Sequence, residues 1–129
     1  MESGRTDRRS IGQKGEDLAC HLLESKGHRI LERNWRYGHL EIDIISVDPV
    51  GIHFVEVKAR RDNIQAPPQE NVDITKQKRI VKAAQAYLRS AQGRAFISCE
   101  YLFDIVAVTF DAKGVRTEYL EQAYIPTYK

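Results

Sequence analysis

The chain has little from which to build a disulfide framework or a zinc site. Its two cysteines, Cys20 and Cys99, belong to no Cys-x-x-Cys pair and to no Cys/His cluster. The four histidines, His21, His28, His39 and His53, are scattered, and no two fall at metal-ligand spacing. Both cysteines are expected to be reduced and partly buried. No apolar run approaches the roughly 20 residues needed to span a bilayer, and the polar, arginine-containing start lacks the apolar core of a signal peptide. A cytoplasmic protein with no membrane partner is therefore expected. No internal repeat is visible. With 129 residues and 42% hydrophobic content, the chain is the size of one domain and can bury its own core.

Net charge is also small, at +2, but it is unevenly distributed. From Asp73 to Arg94, six basic residues (Lys76, Lys78, Arg79, Lys82, Arg89, Arg94) stand against one acid, Asp73, so this stretch carries +5 and the remainder −3. A lysine-rich solvent face of a helix would account for this alone. Beside an acidic, metal-binding face, the same stretch suits a polyanion that is also a metal ligand.

Two short strings supply such a face. Glu41-Ile42-Asp43-Ile44-Ile45 and Phe54-Val55-Glu56-Val57-Lys58 both alternate with period two, which predicts strands. Asp48-Pro49-Val50-Gly51 between them has Pro at the second and Gly at the fourth position, as a type I turn prefers. The turn sets a hairpin register of Val47 to Ile52, Ile45 to Phe54, Asp43 to Glu56 and Glu41 to Lys58, with all four ionisable side chains on one face. Opposed carboxylates repel and call for a shared proton, a basic partner or a bound cation. A solvated face with a Glu41–Lys58 ion pair is one reading. A site for a hard divalent ion, Mg²⁺ or Mn²⁺, is the other, because the candidate ligands are all oxygens. His39 is read as a surface turn residue, although it lies two residues before Glu41 and could line the same face.

Elsewhere, residues 1–9 with Arg5, Arg8 and Arg9 look like a flexible basic arm, leaving 10–129 as a single domain. Ser10 and Gln13 form a capping box opening a first helix that Gly27 stops. Its core stripe is Ile11, Gly15, Leu18, Ala19, Leu22 and Lys26. Glu16 lies at the border of that stripe, where it can lean over a sheet edge. Gly12 and Gly15 each cost a helix roughly 1 kcal/mol relative to Ala, which suggests close approach by the sheet or a ligand. Arg29 to Arg36 reads as a strand running into the basic, aromatic loop Arg33–Gly38. After the hairpin, a polar stretch with Pro67-Pro68 is expected to form a mobile loop at the mouth of the site. A second helix runs from Asp73 or Thr75 to Gln92 and stops at Gly93; its core stripe is Ile80, Ala84, Tyr87, Leu88 and Ala91, with Lys76 at the border. Tyr101–Phe110, almost continuously apolar, is a central strand, and Val115–Glu121 follows the turn Asp111–Gly114. The order α-β-β-β-α-β-β predicts an α/β protein with a mixed β-sheet flanked by helices.

This order, together with Gly15-Glu16-Asp17-Leu18-Ala19, Asn34-Trp35-Arg36, Glu41-Ile42-Asp43, Phe54-Val55-Glu56-Val57-Lys58, Lys76 and Phe103-Asp104-Ile105-Val106, resembles the restriction-endonuclease-like superfamily, with its PD-(D/E)-x-K site. Within it the chain resembles the YraN-like family of uncharacterised proteins, itself similar to archaeal Holliday junction resolvases. The likeness covers roughly residues 10–120. It implies that Asp43, Glu56 and the Val57 carbonyl hold Mg²⁺ or Mn²⁺, and that Lys58 orients or activates the attacking water and steadies the phosphate. Glu16 would complete the acidic set from the first helix through water, and Glu41, beside Asp43, would support the metal ligands from behind or position a partner. Lys76 would contact the scissile or an adjacent phosphate, and Arg36, Arg60, Arg61 and Arg79 are candidate nucleic-acid contacts. Leu40 stands where the narrower family commonly has Gly, and Leu102 where it commonly has Arg, so the resemblance gives Asp104 no arginine partner.

The resemblance implies a metal-dependent endonuclease acting on branched or distorted DNA, with a homodimer plausible by analogy with the resolvases. The alternative is a nucleic-acid-binding accessory protein on the same fold with little or no cleavage.

Overall fold

The computed structural model describes residues 7–61 and 74–124. The elements are α1 (Asp7–Ser25), β1 (Arg29–Tyr37), β2 (Leu40–Val47), β3 (Ile52–Arg61), α2 (Ile74–Arg89), a short 3-10 helix (Arg94–Phe96), β4 (Tyr101–Asp111) and β5 (Gly114–Leu120). The order is the expected α-β-β-β-α-β-β. One sheet contains all five strands in sequence order; β3 and β4 are parallel, because the chain passes through α2 between them, and the other neighbours are antiparallel. β3 is the middle strand. β4, the expected central strand, lies next to it and is buried from Leu102 to Val108.

Each helix covers one face. Under α2, Leu40, Ile42, Ile45, Ile52, Phe54 and Phe103 pack with Ile80, Val81, Ala83, Ala84, Tyr87 and Leu88. Under α1, Ile44, Val55, Val106 and Val108 pack with Ala19, Cys20 and Leu23. Cys20 and Leu23 belong to this core although the expected stripe omitted them, while Lys26 is exposed, as is Ala91, which lies beyond α2 because that helix ends at Arg89 and not at Gln92. Both cysteines are free.

Several boundaries differ from expectation. α1 starts at Asp7, three residues before Ser10. Arg8 and Arg9 are good helix formers, and nothing in this stretch breaks a helix, so Ser10 lies inside it. Of the expected arm, residues 1–6 lie outside the described residues, as does the Pro67-Pro68 loop. Gly27 does end α1: its φ of +94° is the left-handed cap, and the N–H of His28 bonds to the carbonyl of Leu23 at 3.0 Å. β1 continues through Tyr37 instead of giving way to a loop at Arg33.

The two helical glycines separate clearly. A Cβ at Gly12 would meet nothing within 4 Å, whereas at Gly15 it would meet the Ala59 Cβ at 2.6 Å. Gly15 thus sets how closely α1 lies on β3. No helix among the described residues is long and apolar enough to cross a membrane.

Gly15→Ala is expected to lower stability by about 1–3 kcal/mol despite the better helix propensity of Ala, because Ala59 is backbone-anchored and cannot swing aside. Ala59→Gly in the same chain should restore part of the loss. Chemical denaturation of the single and double variants checks this, and an unchanged midpoint for Gly15→Ala would contradict it.

Candidate active site

The predicted turn register is correct near the turn and ends earlier than expected. Val47 pairs with Ile52, Ile45 with Phe54 and Ile44 with Val55, and there the β2–β3 ladder stops. The expected pairs Asp43–Glu56 and Glu41–Lys58 do not form. Instead, a carboxylate oxygen of Asp43 accepts the Val57 N–H at 2.8 Å, so a side chain serves a donor that a continuous ladder would give to backbone.

The neighbouring strand is irregular too, with a register shift between Ile30 and Glu32 and a further break at the level of Asp43. Asn34 has φ +53°, and the β1–β2 register passes from Arg33↔Ile44 to Trp35↔Ile42 with no paired residue between. Asn tolerates this left-handed conformation better than most residues. On either side of it the faces exchange. Arg33 reaches Glu16 and Asp17 on α1, whereas Trp35 packs under α2 edge-on to Tyr87. β2 breaks at the same level: Ile42 faces α2 and Ile44 faces α1, not one common face as simple alternation requires. Asp43 sits at the break. β3 alternates normally, so Glu56 and Lys58 share the Phe54 side, as expected, while Val57 packs on the α1 side.

Asp43, Glu56, Glu41, Lys76 and Arg79 line one cleft of about 350 Å³ with His39, Leu40 and Ile80. His39 is an exposed turn residue, as expected, and it also lines this cleft. Burial pushes the Asp43 carboxyl up to about 7, and repulsion from Glu56 adds to it, against the Val57 hydrogen bond. The positive group that opposed carboxylates require comes from α2. Lys76 Nζ lies 2.5 Å from a Glu56 oxygen, while Lys58 Nζ is 3.7 Å from it. Burial pulls Lys76 down, but Glu56 outweighs this and the net direction is up. Lys58 is lowered, by burial first and by neighbouring Lys76 and Arg60, against the pull of Glu56.

The remaining candidates surround this centre. One Glu16 oxygen accepts from both Arg33 and Asn34, each at 2.9 Å; Glu16 does not line the cleft, although its charge adds to the upward push on Asp43. Glu41 lies 3.7 Å from Arg36, whose side chain is 71% exposed, and not against Lys58. Arg60 is half-buried and Arg61 exposed at the end of β3. Arg79 also belongs to an adjoining groove with Lys78, Lys82, Thr75, His39 and Leu40, which joins the basic side of α2 to the acidic cleft. Sequence reasoning missed the clamp of Arg33 and Asn34 on Glu16, for which the basic run at 33–36 was the available signal.

The donors suit the implied ion. Two carboxylates close enough for one to raise the other's pKa, in a cleft lined by no thiolate, match a hard divalent cation. Asp43, Glu56 and the Val57 carbonyl are the groups that would hold it.

A profile of the uncharacterised protein family UPF0102 matches residues 15–108. A UPF0102 protein of Bacteroides thetaiotaomicron is 38% identical over 116 residues, 90% of this chain and 93% of its own. One of Chlorobium chlorochromatii is 43% identical over 102 residues, 79% and 76% of the two chains. One of Geobacter metallireducens is 40% identical over 120 residues, 93% and 96%.

Asp43→Asn is expected to stabilise the protein in chelator at pH 8, by on the order of 2 kcal/mol, since Asn keeps an acceptor for Val57 N–H and removes the buried charge. The folded pKa lies above the unfolded value of 3.8, so this carboxyl costs stability progressively as pH rises to about 7. The gain should therefore be full above about 7 and vanish near pH 4. Thermal melts of both proteins across that range provide the check. Lys76→Met should have the opposite effect, a lower melting temperature in chelator with a larger rise on adding Mn²⁺ than the parent shows.

Proposed function

From its membership of the uncharacterised protein family UPF0102, to which the chain belongs, and from the acidic cleft beside a basic helix, we propose that this protein is a metal-dependent endonuclease hydrolysing phosphodiester bonds in DNA. The observation that carries the reading is the convergence of Asp43, Glu56 and Lys76 in one cleft, with Lys58 3.7 Å from Glu56. That combination attracts both a divalent cation and the phosphate it would bind.

In this reading Asp43 and Glu56, with the Val57 carbonyl, would hold Mg²⁺ or Mn²⁺, which when bound would neutralise charge on the phosphate oxygens and lower the pKa of its water. The Val57 N–H fixes the Asp43 carboxylate in place, so little reorganisation is needed for it to act as a ligand. Lys58 presents its ammonium beside Glu56, where it orients the attacking water and steadies a non-bridging phosphate oxygen. Lys76, beside Glu56, would contact the scissile or an adjacent phosphate. Glu16, clamped by Arg33 and Asn34, adds negative potential from the α1 side. Arg79 and the groove beyond it, with Arg36, Arg60 and Arg61, contact neighbouring phosphates and favour branched or distorted DNA, for which a homodimer offers the larger grip.

The short Lys76–Glu56 contact also favours a second reading, a nucleic-acid-binding accessory protein in which this lysine keeps the cation out.

Branched, flapped and linear DNA incubated with the protein in Mg²⁺ or Mn²⁺ separates the two. The nuclease reading expects cleavage, reduced by about 100-fold or more in Asp43→Asn and in Lys58→Ala with DNA binding retained. Arg79→Ala should weaken binding and reduce its salt slope by about 1. Salt-sensitive binding without cleavage under every metal condition would instead establish the accessory role.

A further inference from the structure

At the other end of β2 and β3, polar side chains from separate segments meet in the interior. His28 follows the α1 cap, Asp48 opens the hairpin turn, and His53 is on β3. His28 and His53 are 6% and 0% exposed, and their rings lie 4.3 Å apart. Buried histidines are often simply hydrogen-bonded core residues, and all the polar atoms here have partners. The arrangement of those partners is what distinguishes this cluster.

Both imidazoles turn the same nitrogen towards one carboxylate. His53 Nε2 is 2.9 Å from Asp48 Oδ1 and His28 Nε2 is 3.5 Å from Asp48 Oδ2. Both Nδ1 atoms are held from behind, His28 Nδ1 by Ser46 Oγ at 2.8 Å and His53 Nδ1 by Asp104 Oδ2 at 2.6 Å. Such a backing partner fixes ring orientation and leaves Nε2 as the donor, as in carboxylate–histidine–metal triads. Asp104 is itself fixed, accepting from the Tyr119 hydroxyl at 2.6 Å and the Gln122 N–H at 2.9 Å. Asp48 is fixed by its own turn, with Oδ1 accepting the Val50 and Gly51 N–H groups at 3.0 and 3.2 Å. One ligand atom from each of His28, Asp48 and His53 lies within 4.8 Å of the other two. Donors about 2.1 Å from a shared tetrahedral ion stand about 3.4 Å apart; the two imidazole–carboxylate separations, 2.9 and 3.5 Å, lie close to that, and the three ligand atoms would draw together from within 4.8 Å as an ion binds. The Asp48 side chain is 11% exposed, which provides the way in.

We propose that His28, His53 and Asp48 form a binding site for a transition-metal dication of the zinc class, backed by Ser46 and Asp104 and independent of the oxygen-lined cleft at Asp43 and Glu56. Two imidazoles and one carboxylate select zinc over magnesium. The ion would tie the start of β1 to the β2–β3 turn and, through Asp104, to β4 and β5, and so act as a structural clasp.

The test uses the full chain stripped with chelator and titrated with Co²⁺ and with Zn²⁺. One equivalent of Co²⁺ should bind with the visible absorption of a nitrogen-ligated, low-coordinate ion, Zn²⁺ should displace it, and the melting temperature should rise. The Asp43→Asn/Glu56→Gln double variant should keep this spectrum, which separates the site from the nuclease reading. Asp48→Asn, which preserves the turn's hydrogen bonds, should weaken binding by at least about 10-fold, and Ser46→Ala or His28→Gln should do likewise. Failure of the stripped parent chain to bind Zn²⁺ more tightly than about 10 µM would overturn the proposal. So would binding that survives in Asp48→Asn or is lost in the Asp43→Asn/Glu56→Gln variant.

Discussion

The bond from Val57 N–H to the Asp43 carboxylate organises this protein's candidate site. It replaces a rung of the β2–β3 ladder, so the two strands need not remain paired beyond Ile44 and Val55, and a cleft opens between residues that a regular hairpin would have packed together. The same bond holds one carboxylate of a mutually repelling pair. Asn34 and Asp43, on adjacent strands, share the irregularity, and because both strands exchange faces at one level the sheet core continues on either side. At the defect, the Asp43 carboxylate satisfies a backbone donor that the ladder no longer serves.

Charge follows from this geometry. Asp43 and Glu56 would be a poor feature of a sheet with nothing to oppose them, and α2 supplies the opposing charge through Lys76. The dense apolar contact of Ile80, Ala84, Tyr87 and Leu88 with Phe54 and Ile45 holds α2 close enough for this. Gly15 against Ala59 does the equivalent for α1 and brings Glu16 to the sheet. Close helix packing and site electrostatics are two aspects of one arrangement.

Much of this was legible in the chain. Period-two alternation gave the strands, Asp48–Gly51 gave the turn and its first pairs, and the helix spacing placed Glu16 and Lys76 at stripe borders, from which both lean inward. Alternation misled at Asp43, because a pattern of apolar and polar residues does not mark where a strand loses its partner. Asn34 carried the only hint, as a residue that accepts positive φ. The resemblance gave Asp104 no arginine partner, yet Asp104 is fully buried and bonded to His53 and Tyr119. The histidines looked scattered because spacing along the chain was the only measure available.

The sequence by itself determined the order of elements, the family, the turn and the carboxylates with their lysines, since each depends on residues close in the chain or on their order. Tertiary structure decided which lysine meets Glu56, that Arg33 and Asn34 hold Glu16, and that His28, Asp48 and His53 converge. Those meetings join segments far apart in sequence, and only the strand order and the seating of each helix bring them within hydrogen-bonding distance.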